Sequence, residues 1–247
     1  MGWGDELMAC GEAMALGARV KIMDKSGNVR KHPAWDNNPH IVQSKNESAD
    51  HHILNSPGAR PYVKTVNASA WEFKPYKPKP AKFYFTDEEQ AYIDRLPSGF
   101  VVIEPGLKEK MESQNRRWSG DNFAMVTQYV DAKWIQLGST MPDLLPKAEW
   151  ICTPTPRHMA AALSKARAFV SHEGGLHHTA AALGISGVVI FGGFVSPQVT
   201  GYDMHHNLFV GDGLGCGKRV KCPHCTDAMC RITPQMVIDS LRKILNG

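Results

Sequence analysis

The sequence predicts an α/β protein whose main domain is built on a parallel sheet. Between residue 83 and the C-terminus, short apolar runs rich in β-branched residues alternate with segments of helical periodicity. This alternation is typical of a parallel sheet covered by helices on both faces. The chain has 247 residues, 43% of them hydrophobic and 21% charged. This composition excludes the disordered, collagen-like and coiled-coil classes.

The first residues predict a glycine loop followed by a helix. Gly2 and Gly4 flank Trp3, and apolar residues then recur at helical spacing as far as a stop at Gly17. Asp5 stands where a helix N-cap is expected. A carboxylate at such a position either caps the helix or acts as a general base on a substrate hydroxyl.

The rest of the N-terminal part carries weaker signals. A strand is predicted at residues 19–24, and the polar residues 25–70 are predicted to be irregular. Residues 71–82 contain three prolines and four lysines, which is typical of an extended linker. We therefore expect a small N-terminal region with a basic linker over residues 1–80 and a compact α/β domain over residues 81–247.

The second part of the chain has a regular order of elements. Its predicted strands are residues 100–104, 133–137, 168–171, 188–191 and 207–210. Its predicted helices are residues 121–130, a helix that begins at Thr155-Pro156, residues 176–183, and a last helix that begins at Thr233-Pro234 and ends near residue 245.

Two loops that follow predicted strands carry candidate binding residues, because ligands of parallel α/β sheets bind at the carboxyl ends of the strands. In the segment SHEGGLHH, the paired glycines allow close approach of a ligand, and the next helix begins with N–H groups that attract anions. Its candidate residues are Glu173, Gly174, Gly175, Leu176, His177 and His178. The alternative is a tight turn with two incidental histidines.

The loop at residues 105–118 carries four basic side chains. Arg116 and Arg117 have guanidinium groups that suit a diphosphate, since each can hold two oxygens at once. A solvated surface loop is the alternative, and we favour it for Lys108 and Lys110.

Four of the six cysteines fall within residues 216–230, with the spacing C-x5-C-x2-C-x4-C. Cys216, Cys222, Cys225 and Cys230 form a candidate thiolate set for a structural Zn or Fe ion, and His224 could replace one of them. Free thiols are the alternative. Such an ion would clamp the loop before the last helix and take no part in catalysis.

Four segments, taken in order, resemble family 9 glycosyltransferases, the ADP-heptose:lipopolysaccharide heptosyltransferase-like enzymes, in a divergent and shortened form. They are GWGDELMA at the start, VVIEPGLK followed by RRW, the long segment FVSHEGGLHHTAAALGISGVVIFGG, and CPHCTDAMCRITPQMV near the end. The resemblance implies a GT-B-like fold of two Rossmann-like parallel-sheet domains, the N-terminal one reduced here because the chain starts at the glycine loop.

The resemblance also implies a function. A nucleotide-sugar would bind the C-terminal domain, an acceptor the N-terminal one, and the sugar would be transferred with inversion and without a metal or other cofactor for catalysis. Asp5 would be the base, and Gly2, Trp3 and Gly4 would form the acceptor loop. The donor would be held by the backbone N–H groups of residues 174–176, by His178, and by Arg116 with Arg117 as its substitute. Glu173 replaces the family's Asp, and Gly174 its Ser or Thr, so one hydroxyl contact is lost.

The sequence leaves two classes of acceptor molecule open. A saccharide is the first choice, and hydroxymethylated bases in DNA, as modified by viral-type DNA glycosyltransferases, are the second. The net charge of +4 and the lysines that alternate with aromatic residues in 71–82 fit the second. A non-catalytic nucleotide- or nucleic-acid-binding protein is the rival class.

The sequence offers no signal for membrane insertion or secretion. The longest strongly apolar stretch, residues 187–195, is too short to cross a bilayer and is interrupted by glycines. The first twenty residues lack a basic segment followed by an apolar run. We therefore expect a cytoplasmic protein.

Overall fold

A computed structural model describes residues 2–107 and 109–247. Its helices are α1 (Trp3–Ala15), α2 (Asp87–Asp94), α3 (Gly120–Tyr129), α4 (Pro156–Leu163), α5 (Gly175–Ala182), α6 (Pro197–Thr200), α7 (Pro223–Arg231) and α8 (Pro234–Asn246). Its strands are β1 (Val20–Met23), β2 (His51–Leu54), β3 (Val63–Asn67), β4 (Ala70–Phe73), β5 (Phe100–Glu104), β6 (Trp134–Gly138), β7 (Ala148–Cys152), β8 (Ala166–His172), β9 (Gly187–Gly192) and β10 (His206–Phe209).

The C-terminal part is a six-stranded sheet in the order β10-β9-β8-β5-β6-β7, in which every pairing is parallel. The α/β class predicted from the sequence is therefore confirmed. Successive residues of the central strands face opposite sides. Val102 and Phe169 pack on one face with α4 and α5, while Ile103 and Val170 pack on the other with α3 and α8. In the register of β5 against β8, Glu104 lies opposite Ser171, so both carboxyl ends meet at one edge.

The N-terminal part contains only small sheets. Strands β1 and β2 pair in parallel, and β3 and β4 form an antiparallel pair. The prediction that residues 25–70 are irregular is therefore wrong for β2 and β3, whose short and mostly exposed sequences lack apolar alternation. Residues 70–73 form β4, although residues 71–73 were predicted to belong to the linker. From residue 74 to residue 86 the chain has no regular secondary structure.

Helix α1 attaches this part to the sheet domain by packing along α5. The indole Nε1 of Trp3 donates to Thr179 Oγ1 at 2.9 Å. Gly4 lies against the ring of His178 so closely that a Cβ there would lie 2.3 Å from His178 Cδ2. Any side chain at this position would therefore force the two helices apart, which explains the glycine in the opening motif.

A buried arginine on α4 forms a second attachment. Arg157 pairs with Glu89 of α2 through two hydrogen bonds of 2.5 and 2.6 Å, and its remaining donors reach the carbonyl oxygens of Pro33 and Tyr84. The guanidinium thus links the N-terminal part, the extended segment and two helices of the C-terminal part. Among the described residues, no helix is both long and apolar enough to cross a membrane.

Candidate functional site

A cleft of about 330 Å³, the main cleft, lies between the start of α1 and the carboxyl ends of β5 and β8. Its volume falls in the range of about 300–1,000 Å³ that is usual for small-molecule sites. Many of the residues singled out from the sequence line it, namely Gly2, Trp3, Gly4, Asp5, Arg116, Glu173, Gly174, Gly175, Leu176 and His178. The fold therefore brings the opening glycine motif and the turn before α5, about 170 residues apart in the sequence, into the lining of one cleft.

The wall formed by α5 exposes a helix N-terminus to the cleft. Strand β8 ends at His172, and α5 begins at Gly175 after a two-residue turn. Gly175 and Leu176 open the helix, so their N–H groups have no intrahelical acceptor and suit an anion. A Cβ on Gly174 would meet no atom within 4 Å. This position therefore has room for a small side chain such as that of serine.

His177 shapes this turn rather than facing the cleft. Its Nδ1 accepts the N–H of Gly174 at 2.9 Å, so the proton resides on Nε2, which donates to the carbonyl oxygen of Thr200 at 2.9 Å. The ring is fully buried, and His177 is not among the residues that line the main cleft. The N–H of Gly174, counted from the sequence among the donors to a ligand, is therefore already engaged.

His178 lines the cleft but is held in a buried setting. Its Nδ1 lies 2.9 Å from the hydroxyl of Tyr202. Burial, followed by the nearby His177 and His205, lowers the pKa of His178 well below its usual value. The imidazole is therefore neutral near pH 7, and it can contribute a dipole but not a positive charge.

Asp5 also lines the cleft, and the structure corrects its place in the helix. The N-cap is Gly2, and Asp5 is the third residue of α1, with its Oδ2 accepting the N–H of Gly2 at 2.8 Å. Its Oδ1 accepts from the guanidinium of Arg60 at 3.0 Å and from the hydroxyl of Tyr62. Burial acts to raise the pKa of Asp5, but the charge of Arg60 and these hydrogen bonds outweigh it, and the pKa lies below its ordinary value.

The carboxylate of Asp5 is therefore ionised and firmly held. A carboxylate has about four acceptor positions, and Arg60, Tyr62 and Gly2 fill three of them. The fourth, on Oδ2, is left for a hydroxyl bound in the cleft. Arg60 and Tyr62 were not predicted from the sequence, because they lie in the stretch that was expected to be irregular.

The two arginines of the loop at residues 105–118 differ in their surroundings. Arg116 lines the cleft, donates to Glu173 Oε2 at 2.7 Å and leaves its buried Nε without a hydrogen-bond partner in the part of the chain that is described. Arg117 is half exposed, pairs with Glu109 on the surface and does not line the cleft. Lys110 lines the cleft as well, whereas Lys108 lies outside the described residues.

Two further polar residues, at the carboxyl ends of β5 and β8, were not predicted from the sequence to be site residues. His172 lines the cleft, and its Nε2 accepts the N–H of Trp118 at 2.8 Å. Its Nδ1 therefore carries the proton, and it finds no acceptor among the residues described. Burial, together with Arg116 and Arg117, lowers the pKa of His172 to about 3, so the ring is a neutral donor.

Glu104 ends β5 and also lines the cleft. One carboxylate oxygen accepts the N–H of Gly106 at 2.7 Å. Burial nevertheless raises the pKa of Glu104 to about 7. A carboxylate directly after a buried apolar strand is the signal that would have identified it.

The pKa of Glu104 predicts a pH dependence of anion binding. An anion bound in the cleft favours the protonated, uncharged form of Glu104. The affinity for the anion is therefore highest below pH 7 and falls as the pH rises through about 7. We expect the Kd of a nucleoside diphosphate, measured by calorimetry from pH 6 to 8.5, to rise up to about tenfold, which corresponds to one unit of coupled pKa shift. Glu104→Gln should flatten this rise. An equally steep rise in that variant would contradict the assignment.

The same shift predicts a change in stability. The pKa of Glu104 in the folded state is about 7, whereas an unfolded glutamate loses its proton near the ordinary pKa of 4.5. The native state therefore binds more protons between these values, and this group's contribution to stability declines as the pH rises through that window.

A cluster of sulfur and nitrogen atoms lies apart from the cleft. Donor atoms of Cys216, Cys222, His224 and Cys225 lie within 4.8 Å of one another. The sulfur of Cys216 lies 3.0 Å from that of Cys225 and 3.9 Å from that of Cys222. The hydrogen bond from Cys225 lowers the pKa of Cys216 to about 5, which indicates a thiolate.

Cys230 is not part of this cluster. It is exposed near the end of α7, five residues after Cys225, so it points to another side of the helix. His224 takes the place that was predicted for Cys230. A second group of candidate metal ligands consists of Glu173, His177 and His178. Glu173 already accepts a hydrogen bond from Arg116, and both ring nitrogens of His177 are hydrogen-bonded.

Comparisons with known proteins found similarity at the level of structure. No protein-family model matches the sequence, and no curated protein matches it either. A glycosyl transferase family 9 protein from Veillonella parvula aligns with a TM-score of 0.48 and 15% identity, over 67% of this chain and 53% of that one. The E. coli ADP-heptose lps heptosyltransferase II aligns with a TM-score of 0.48 and 19% identity, over 66% and 53%.

The iron-containing dodecameric glycosyltransferase TibC from enterotoxigenic E. coli aligns with a TM-score of 0.46 and 15% identity, over 71% of this chain and 51% of that one. This chain thus spans about half the length of the solved structures it matches. One of these structures is thus a family 9 glycosyltransferase and another a heptosyltransferase.

Proposed function

We propose that this protein is an inverting glycosyltransferase that moves a sugar from a nucleoside-diphosphate sugar to an acceptor hydroxyl. One observation carries the proposal: the ionised carboxylate of Asp5, the N-terminus of α5 and Arg116 all line the same cleft. Displacement of a diphosphate by a hydroxyl requires a base together with groups that bind the departing anion.

The α5 wall binds the diphosphate. The N–H groups of Gly175 and Leu176 point out of the helix start, and the positive end of the helix dipole favours the negative phosphates. Arg116 supplies a guanidinium, and the unpaired Nδ1–H of His172 supplies a neutral donor. These donors are in place before the reaction, so they stabilise the charge that develops on the leaving group.

Asp5 receives the proton of the acceptor. As the acceptor oxygen forms its bond to the anomeric carbon, its proton passes to Oδ2 of Asp5. The bond between the anomeric carbon and the diphosphate oxygen breaks on the opposite face, and its electron pair leaves with the nucleoside diphosphate. In this proposal residues 1–80 supply the acceptor side and residues 81–247 the donor side.

A thermal-shift screen with ADP-, UDP-, GDP- and CMP-sugars tests the donor assignment. A ligand that binds the native state raises the Tm, by the equivalent of about 2.7 kcal/mol at one hundred times its Kd.

We expect Arg116→Gln to weaken the binding of the best nucleotide-sugar about tenfold or more, because it removes a charge from the cleft. Arg117→Gln is the matched control and should bind normally. If no nucleotide-sugar raises the Tm and the protein binds DNA tightly, the result would support a non-catalytic binding protein.

Hydroxymethylated DNA is the second acceptor class, and one feature of the structure favours it. Lys74 and Lys79 are exposed in the extended segment on either side of Tyr76. Exposed lysines along an extended chain suit a phosphate backbone. A saccharide is kept as the first choice, and transfer assays with a neutral sugar and with a hydroxymethylcytosine oligonucleotide as acceptors separate the two.

The cysteine cluster is a structural metal site in this proposal. Thiolates bind Zn²⁺ at about 2.3 Å, which places ligand sulfurs roughly 3.8 Å apart in a tetrahedral site, close to the separation of Cys216 and Cys222. Cys216, Cys222, Cys225 and His224 would hold the ion and tie the loop to α7. The ion would not touch the substrate.

Zinc addition to chelator-treated protein tests this site. We expect the Tm to rise with Zn²⁺, because the ion binds the folded cluster. Cys222→Ser should abolish the rise, and Cys230→Ser, which alters the exposed cysteine, should leave it intact. An equal response in both variants would place the metal elsewhere.

A further inference from the structure

A short piece of the C-terminal part, residues 217–219, lies along strand β4 of the N-terminal part. The N–H of Trp71 donates to the carbonyl oxygen of Gly217 at 2.9 Å, and the N–H of Arg219 donates to that of Ser69 at 2.8 Å. An antiparallel bridge joins the residues between these two contacts. Residues 217–219, the edge segment, therefore pair with β4 in the manner of a third strand.

The edge segment is fixed from two sides. Gly217 has a φ of +62°, and a Cβ there would clash with the carbonyl oxygen of Trp71, so only glycine allows this close pairing. The fully buried Asn115 holds the segment from another direction, because its amide donates to the carbonyl oxygens of Lys218 and Val220 at 2.6 and 2.8 Å. The position of the edge segment is therefore set by backbone contacts.

The indole of Trp71 receives a guanidinium group from each part of the chain. Cζ of Arg219 lies 4.7 Å from the centre of the ring, and Cζ of Arg60 lies 4.9 Å from it. Both distances are within the range of about 6 Å that is usual for cation–π contacts. Arg219 is held by two further contacts, since its Nη1 donates to the carbonyl oxygen of Ala68 at 2.9 Å and its Nε lies 3.5 Å from the buried carboxylate of Glu112.

Arg60 connects the indole to the candidate base. Its guanidinium donates to Oδ1 of Asp5 at 3.0 Å. Its Nε is buried and has no hydrogen-bond partner in the described part of the chain. The guanidinium packs against the rings of Trp71 and Tyr62, whose centres lie 4.9 and 5.5 Å from its Cζ. These rings therefore restrict the side chain of Arg60 where a hydrogen bond does not.

We propose that Trp71 and Arg219 are positioning residues for the base: they hold the guanidinium of Arg60, and Arg60 in turn holds the carboxylate of Asp5. This inference rests on the proposed transferase function, in which Asp5 receives the proton of the acceptor. Trp71 lines the main cleft and Arg219 does not, so Arg219 acts from outside the site. A residue of the C-terminal part thus helps to place the base of the N-terminal part.

The protonation of Asp5 reports on the position of Arg60. Burial acts to raise the pKa of Asp5, but the charge of Arg60 and hydrogen bonds that include one from Tyr62 outweigh it. The adjacent Glu6 is paired with Arg30, and none of the variants below alters that pair. A displaced Arg60 must therefore raise the pKa of Asp5. NMR of protein with isotope-labelled aspartate follows this titration in the free enzyme, over the pH range in which the protein is folded.

Substitution of the indole is the first test. We expect the Asp5 carboxyl of Trp71→Leu to titrate at a higher pH than in the wild type. The kcat for sugar transfer should fall about two- to thirtyfold, which corresponds to the loss of one cation–π contact. Trp71→Phe keeps a ring and should restore most of both properties. Trp150→Leu is the matched control, because Trp150 is also half-buried but lies outside the main cleft.

A charge-balanced variant tests the outer arginine. Arg219→Ala/Glu112→Gln removes an ion pair, so the net charge is unchanged and no buried charge is left alone. We expect the Asp5 carboxyl to titrate at a higher pH here as well, with a loss of kcat in the same direction. Arg231→Ala/Asp227→Asn removes an exposed pair on α7 and should leave the titration and kcat at their wild-type values.

Titration and turnover separate failure of this inference from failure of the proposed function. If folded Trp71→Leu and the charge-balanced variant both keep the wild-type titration of Asp5, the positioning role is wrong. A shifted titration with an unchanged kcat would overturn it as well, since the base would then lie elsewhere. If the titration shifts but the wild type transfers no sugar from any nucleotide-sugar, the contacts to Asp5 are confirmed and the proposed function fails.

Discussion

Asp5→Asn is expected to lower kcat for sugar transfer by about 10²- to 10⁴-fold, the range usual for loss of a general base. The amide keeps a single acceptor oxygen, so it can accept from Tyr62 or from the N–H of Gly2 but not from both. It cannot take a proton from the acceptor. The Kd of the nucleoside diphosphate should change little, because Asp5 is not among the groups assigned to the diphosphate. Steady-state kinetics with the best nucleotide-sugar, together with calorimetry, measure both quantities.

Two comparisons make this result interpretable. Asp131→Asn, at an exposed aspartate outside the cleft, should retain full activity. Asp5→Asn also leaves Arg60 without its charge partner, so a melting curve must show that the variant is folded. If a folded Asp5→Asn protein keeps more than about a tenth of the wild-type kcat, Asp5 is not the base.

Arg157→Met is expected to reduce the free energy of unfolding by about 3–5 kcal/mol, the usual cost of removing one partner of a buried ion pair. The side chains of Arg157 and Glu89 are only 8% and 10% exposed. The substitution leaves a buried carboxylate without its cation and the carbonyl oxygens of Pro33 and Tyr84 without a donor. Urea denaturation at neutral pH gives the free energy.

An exposed pair supplies the control for Arg157. Arg19 and Glu47 form a salt bridge with both side chains about half exposed, so Arg19→Met should cost at most about 1 kcal/mol. The double variant Glu89→Met/Arg157→Met should recover much of the lost stability, since it removes both buried charges. A cost for Arg157→Met no larger than that for Arg19→Met would contradict the assigned role.

The sheet domain could be predicted because its central strands are continuous apolar runs. Residues 100–104 coincide with β5, and residues 188–191 lie within β9, since both strands are buried on both faces. Strand β7 was missed because it lies at the sheet edge and its residues are half exposed. Helix α2 was missed although Thr86 and Glu89 form a capping box, which is a recognisable start signal.

The candidate site could be predicted only in part, for a physical reason. Asp5 and the turn before α5 belong to local patterns, a glycine loop and a strand-to-helix junction, and such patterns can be read from neighbouring residues. Arg60 and Tyr62 act through contacts more than fifty residues apart in the chain. The pKa of Glu104 is raised by burial, and burial depends on tertiary packing that neighbouring residues in the sequence do not reveal.

The way in which Asp5 is held has a consequence for how mutations should combine. Arg60 and Tyr62 both donate to Oδ1 of Asp5, so substitutions at either residue should show epistasis with Asp5→Asn in their effects on kcat/KM. Arg116 pairs with Glu173 instead, and Arg116→Gln should therefore give an additive free-energy effect. Donor preference could then evolve without disturbing the base.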